Sequence, residues 1–147
     1  IGTDYHKPKV RLPGTAGLGD MGSLGKRLFY WNPNHSPRSL VEKVDFRSAA
    51  GFLGGGDERE QLGLTGGPEI VVTNLAVFDF HPESKRMRLV SVHPGQTVET
   101  VQAATGFEIL LPEGGVPETT KPTTEQVRLL REVIDPDGHC KREAGVK

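Results

Sequence analysis

The sequence predicts an α/β domain built on a mixed β-sheet flanked by helices. Three observations carry that expectation. The run Ile70-Val71-Val72-Thr73-Asn74-Leu75-Ala76-Val77-Phe78-Asp79-Phe80 is apolar at both parities, the pattern of a strand covered on each face. A turn over residues 81–85 leads from it into a second strand-like run, residues 87–92, which reads as an antiparallel hairpin. Helical segments with start and stop signals lie on either side in sequence.

Taken in order, residues 5–12 read as extended, interrupted by Pro8. A glycine-broken loop follows, Leu12-Pro13-Gly14-Thr15-Ala16-Gly17-Leu18-Gly19-Asp20-Met21-Gly22. Residues 21–29 have helical spacing, with Met21, Leu24 and Leu28 on one face and Asp20 as the N-cap. The segment Trp31-Asn32-Pro33-Asn34-His35-Ser36-Pro37 is a loop of turn formers. Residues 40–46 are a strand candidate. Residues 51–67 read as a loop, in which Gly54-Gly55-Gly56 precedes Asp57-Glu58-Arg59-Glu60. After the hairpin, Pro94-Gly95 breaks the chain, Thr97 caps a helix over residues 98–104, and Gly106 stops it. Residues 107–111 form a short strand. Residues 113–122 are a linker of Gly, Pro and Thr. A capping box at Thr123-Thr124-Glu125-Gln126 opens a last helix, residues 123–134, with Val127, Leu130, Val133 and Ile134 as its stripe. The tail, residues 135–147, is polar and frayed. The whole chain reads as a single domain.

The 147 residues suffice for one domain with a core. A content of 19 glycines with a hydrophobic fraction of 35% suggests a loop-rich domain, or part of a larger one resting on a partner. A net charge of −1 and no basic stripe argue against nucleic acid. No apolar run is long enough to span a membrane. The single Cys140 excludes an internal disulfide and fits a reducing, cytoplasmic compartment. The chain begins at Ile1 rather than Met, which predicts processing or origin in a longer polypeptide.

The glycine loop is the most informative feature for function. A strand, a glycine loop and a helix together expose free backbone N–H groups that bind anions or stabilise an oxyanion. The competing reading is a tight turn with a small-residue helix contact. Gly17-Leu18-Gly19-Asp20-Met21-Gly22 matches the dinucleotide fingerprint literally, with Glu42 about twenty residues past Gly22. Against it, the expected buried strand after the helix is replaced by the two-proline loop. A phosphate-binding P-loop fails because Asp20 stands where the lysine belongs. His6, His35, His81, His93 and His139 share no ligand spacing, so no metal site is expected. No nucleophile elbow of the G-x-S-x-G type is present. The acidic group Asp57, Glu58 and Glu60 reads as a solvated loop, with a mobile lid as the sharper alternative.

Together the segments resemble the β subunit of the class I coenzyme A transferases, nearest the glutaconate CoA-transferase branch. The most specific part is Glu69 through Phe80, where the family carries a VVT–polar–LAVFD strand. Its sequel also matches: a second strand, Pro94-Gly95, then Val98-Glu99-Thr100-Val101-Gln102-Ala103-Ala104-Thr105-Gly106-Phe107. Upstream, Lys9-Val10-Arg11-Leu12-Pro13-Gly14 is similar to the family's lead into its glycine loop, and Ser39-Leu40-Val41-Glu42-Lys43-Val44-Asp45-Phe46 to a further strand. The resemblance implies an open α/β fold of which this chain is the C-terminal portion, with part of the subunit upstream of residue 1.

The family loop reads Gly-Ser-Gly-Gly-Ala; here it reads Gly14-Thr15-Ala16-Gly17-Leu18, a departure at Ala16. By position, the resemblance gives the Gly17 N–H the role of oxyanion donor to the thioester carbonyl, and Gly14, Thr15, Ala16 and Leu18 a place at the CoA thioester. The family's nucleophile is a glutamate upstream of this loop, and no glutamate of this chain inherits that role by motif. The resemblance therefore implies a CoA-transferase subunit, inactive alone, that works with an α subunit and the missing N-terminal part of the β subunit in a hetero-oligomer. Its substrates would be an acyl-CoA and a carboxylic acid, with no tightly bound cofactor. A CoA-thioester hydrolase or decarboxylase on the same scaffold is one alternative. A dinucleotide-binding module is another.

Overall fold

The computed structural model describes residue 4, residues 6–11, residues 14–143 and residue 145. It contains an open, mixed four-stranded sheet with helices packed beside it. The elements run α1 (Leu18–Leu24), β1 (Arg27–Asn32), α2 (Glu58–Gln61), β2 (Gly67–Thr73), β3 (Ala76–Phe80), β4 (Met87–Val92), α3 (Val98–Ala103), α4 (Thr124–Leu129), a π-helical turn (Leu130–Ile134) and α5 (His139–Glu143). The strand order is β1-β2-β3-β4. β1 pairs with β2 in parallel, whereas β2–β3 and β3–β4 are antiparallel. A parallel pair needs a crossover, and residues 33–66, carrying α2, supply it.

The run over residues 70–80 is a hairpin rather than one strand. It folds back at Asn74-Leu75, so that Val71 faces Phe78 and Val72 faces Val77. Thr73 makes the turn. Its Oγ1 accepts from the Leu75 and Ala76 N–H groups and stands 3.1 Å from the Ala76 carbonyl. The expected hairpin into residues 87–92 is present. Asp79 and Arg88, directly opposite across β3–β4, form a bidentate ion pair at 2.9 and 2.6 Å.

The helix expected over residues 21–29 starts earlier and ends sooner. Gly17 is the N-cap, and Asp20 lies in the first turn instead. Gly25 adopts extended backbone and ends α1. Leu28-Phe29-Tyr30-Trp31 then follows β preference for aromatic residues and pairs with β2. Leu28 completes an apparent helical stripe while belonging to a strand. The strand expected over residues 40–46 is reduced to one bridge, Val41 to Gly106, and that over residues 107–111 to one bridge, Arg88 to Leu110. The described part of residues 5–12 holds turns and bends; Tyr5 and Leu12, like Pro13 of the loop, lie outside the described residues. Both expected capping boxes form, Thr97 with Thr100 and Thr123 with Gln126.

The core lies on one face of the sheet. Val71, Ala76, Phe78, Leu89 and Val92 meet Val101 of α3 and Ile109 there. The register places Phe29, Trp31, Ile70, Val72 and Val77 together on the opposite face. There Val72 and Val77 are half-buried, while Phe29 and Trp31 are 58% and 54% exposed. The sheet is thus covered fully on one side, not on both. α4 and the π turn leave Leu130, Val133 and Ile134 exposed.

A buried polar network holds the C-terminal end of β2. The His35 N–H donates to Asn74 Oδ1 at 2.8 Å, and its ring nitrogens lie 2.9 Å from Thr73 Oγ1 and from Thr105 Oγ1. The Thr105 hydroxyl donates to the Val101 carbonyl, so it accepts from His35 Nε2–H, and the Thr73 hydroxyl has one proton to share between His35 Nδ1 and the Ala76 carbonyl. Thr73 Oγ1 already accepts two backbone N–H groups and offers a poor partner to a second ring proton. Burial also lowers the His35 pKa below its ordinary 6.5. A histidine depressed in the folded state takes up its proton first in the unfolded state as the pH falls. Its stabilisation is full above 6.5 and is lost as the pH drops through 6.5 toward the folded value. Urea denaturation at stepped pH is expected to show this loss, and His35→Gln to flatten that part of the profile. An unchanged profile in the variant would assign the loss to other groups.

Candidate active site

Gly14, Thr15 and Leu18 line an open cleft of about 680 Å³ between the glycine loop and residues 38–48. That is within the size range of small-molecule sites. Val10, Val41, Val44 and Phe46 give it apolar surface, and Arg11, Arg38 and Lys43 give it positive charge. Asp45 is the one acidic lining residue among the described residues. A basic, partly apolar cleft suits a ligand with phosphates and an aliphatic arm. The strand candidate over residues 40–46 thus contributes as an irregular wall. Glu42 does not line this cleft.

The structure separates the five loop residues. Gly14, Thr15 and Leu18 are on the cleft wall; Ala16 and Gly17 are not among its lining. Gly17 nevertheless has the properties of an available donor. It is exposed, its N–H has no acceptor among the described residues, and a Cβ built on it would meet nothing within 4 Å. Tight packing does not account for glycine there. It does at Gly22, where a Cβ would lie 2.6 Å from Ala49 Cβ. The two readings of the glycine loop therefore fall on different glycines. The fingerprint reading loses its basis, because the described residues hold no strand before the loop.

Gly14 has φ +96, in the region that favours glycine, whereas Ala16 adopts φ +46 with a Cβ present. A left-handed residue that is not glycine costs about 1–2 kcal/mol. Ala16→Gly is therefore expected to stabilise the protein by about 1 kcal/mol, less the added entropy of glycine in the unfolded chain. Thermal denaturation checks it; a loss of stability would show that Ala16 is not strained.

Among the described residues no group of three His, Cys, Asp or Glu could hold a metal ion, and no helix is long and apolar enough to cross a membrane. Cys140 is free and exposed. Asp57, Glu58 and Glu60 surround a residue that sequence reasoning missed. Arg59 is 2% exposed, and its hydrogen-bond partners among the described residues are all backbone carbonyls. Its position between acidic neighbours gave no signal of burial.

The likeness to known proteins is extensive. Residues 1–104 match the family described as coenzyme A transferase. The chain is 40% identical over 130 residues to the β subunit of the 3-oxoadipate CoA-transferase of Pseudomonas knackmussii, covering 87% of this chain and 49% of that one. It is 33% identical over 135 residues to the β subunit of the glutaconate CoA-transferase of Acidaminococcus fermentans, covering 90% of this chain and 49% of that one. The crystal structure of that organism's glutaconate CoA-transferase superposes with a TM-score of 0.80 at 32% identity, over 95% of this chain and 52% of that one. The crystal structure of Rhodococcus jostii IpdAB superposes equally well, TM-score 0.80 at 31% identity, over 100% of this chain and 57% of that one. The IpdB subunit of that organism, named a cholesterol ring-cleaving hydrolase, is 37% identical over 118 residues, covering 80% of this chain and 46% of that one. The chain spans about half the length of the curated relatives it matches. On the family match and these identities, the chain belongs to the coenzyme A transferase family.

Proposed function

We propose that this chain is part of a CoA-transferase β subunit and supplies one wall of its CoA-thioester site. The observation that carries the reading is the meeting of the family's glycine loop with a basic wall in one cleft. The reaction moves CoA from an acyl-CoA to a carboxylic acid. A glutamate carboxylate, supplied from outside this chain, attacks the thioester carbonyl, whose electrons move onto oxygen. The Gly17 N–H donates to that oxyanion. Collapse expels the CoA thiolate and leaves an acyl-glutamyl anhydride. The thiolate then attacks the glutamyl carbonyl, releasing the first acid and forming glutamyl-CoA. A second acid repeats the two steps in reverse and leaves with CoA. Gly14, Thr15 and Leu18 bound the thioester end, while Arg11, Arg38 and Lys43 offer charge to its phosphates.

The site works only with partner segments, an α subunit and the remainder of the β subunit. Exposed Phe29 and Trp31 on the parallel β1–β2 pair support this, because such pairs are normally covered on both faces. So does the bare stripe on α4 and the π turn. The free Cys140 fits a reducing cytoplasm.

Calorimetric titration of the assembled protein, partner segments included, with CoA tests the reading. The protein is expected to bind CoA, and the double variant Arg38→Glu, Lys43→Glu to bind it about 10–100-fold more weakly, since charged hydrogen bonds contribute about 1.5–3 kcal/mol. Equal affinity in the variant would remove this wall from the site. NAD binding without CoA binding would favour a dinucleotide module. A hydrolase is the second reading, favoured by the 37% identity to the IpdB subunit.

A further inference from the structure

We infer that Arg59 is a positioning residue that clamps the two walls of the cleft together from behind. Its guanidinium is nearly inaccessible, at 2% exposure. All of its N–H donors are used. Nε donates to the Gly66 carbonyl at 2.9 Å, Nη1 to Gly22 at 2.9 Å and Gly51 at 2.8 Å, and Nη2 to Ser23 at 2.9 Å and Thr65 at 3.4 Å. Among the described residues it forms no ion pair. The negative ends of peptide dipoles stabilise the charge instead.

The bonded segments explain its importance. Gly22 and Ser23 are in the last turn of α1, where helix carbonyls lack partners of their own. α1 begins directly after the glycine loop, and its Leu18 lines the cleft. Gly51 continues the opposite wall, which lines the cleft as far as Ser48. Ala49, between them, is the residue against which Gly22 packs. The same fork also holds the entry to β2, through the carbonyls of Thr65 and Gly66. The neighbouring Gly67 makes room, because a Cβ there would lie 3.0 Å from Arg59 Nε. One planar group thus fixes the separation of the wall carrying Gly14, Thr15 and Leu18 from the wall carrying Arg38 and Lys43, without lining the cleft itself. Lysine cannot replace it, since an ammonium has three donors on one atom and no fork.

The clamp stands on these contacts; its consequence for CoA rests on the function proposed above. Hydrogen exchange read by mass spectrometry on the full chain and on Arg59→Lys tests the clamp. Protection is expected to fall together in residues 18–25, 49–53 and 65–67, while β3 and β4 keep theirs. Unchanged exchange in either wall, or an equal loss through β3 and β4, would overturn it. CoA titration of the folded Lys variant is expected to show about tenfold weaker binding, as when the competent cleft is populated about one time in ten. Unchanged affinity with loosened walls would overturn the positioning role. If the unmodified protein binds no CoA, the proposed function fails while the exchange experiment still decides the clamp. If the Lys variant does not fold, exchange of the unmodified chain in rising denaturant decides it. The three segments are then expected to open as one unit, separately from β3 and β4, and independent openings would overturn the inference.

Discussion

Gly17→Val, introduced into the assembled protein, is expected to lower turnover by about 10² or more while leaving melting temperature and assembly nearly unchanged. Position 17 has ordinary right-handed backbone, φ −72 and ψ −3, and open space where a side chain would project. An added Cβ therefore meets nothing within 4 Å among the described residues, and little loss of stability is expected. The loss arises at the reaction. Branched carbons beside the N–H obstruct the approach of the thioester oxygen. Gly17→Ala keeps the N–H and adds only one carbon in open space, so it should retain most activity. Steady-state kinetics on folded complex, paired with thermal denaturation, separates the effects. Unchanged turnover in Gly17→Val would remove Gly17 from the site. A stability loss that accounts for the activity loss would return it to a packing role.

The largest effect on stability is expected at Phe78. Its side chain is fully buried, faces Val71 across β2–β3, and lies 5.8 Å, ring to ring, from the buried imidazole of His35. Phe78→Ala removes apolar contact and leaves a cavity, at a cost of about 3–5 kcal/mol. That is a large fraction of the ~5–15 kcal/mol that holds a typical domain folded. Denaturation in urea should show it, together with a melting temperature lowered by roughly 10 °C or more. A cost below about 1 kcal/mol would mean that the sheet face carrying Phe78 is not the centre of the core.

The fold class was legible because burial imposes a pattern on β3, β4 and α3. Phe78, Leu89 and Val101 are apolar wherever the register turns them inward, and Thr97 carries its cap in the local sequence. The hairpin inside residues 70–80 was not, because Thr73 supplies the turn with a side-chain oxygen and the flanking apolar residues continue without a glycine. β1 was obscured by Leu28, whose spacing from Met21 and Leu24 imitates a helix until Gly25 breaks it. The resemblance of the loop to the family singled out Gly14, Thr15 and Leu18, which line the cleft; their place at a CoA thioester is a proposal. Arg11, Arg38 and Lys43 were not singled out, since exposed cations reveal a common cleft only once the chain is folded. Arg59 was the least readable, because backbone carbonyls from distant segments leave no mark on the residue types around it.

Whether this chain forms part of a site for CoA transfer is decided by the transfer itself. The assembled complex is given an acyl-CoA and a free carboxylic acid, and both the new acyl-CoA and free CoA are followed by chromatography. CoA is expected to appear on the second acid in step with loss of the first thioester, and the chain by itself is expected to show no such transfer. Release of free CoA with no thioester formed on the second acid would contradict CoA transfer and assign the scaffold to hydrolysis.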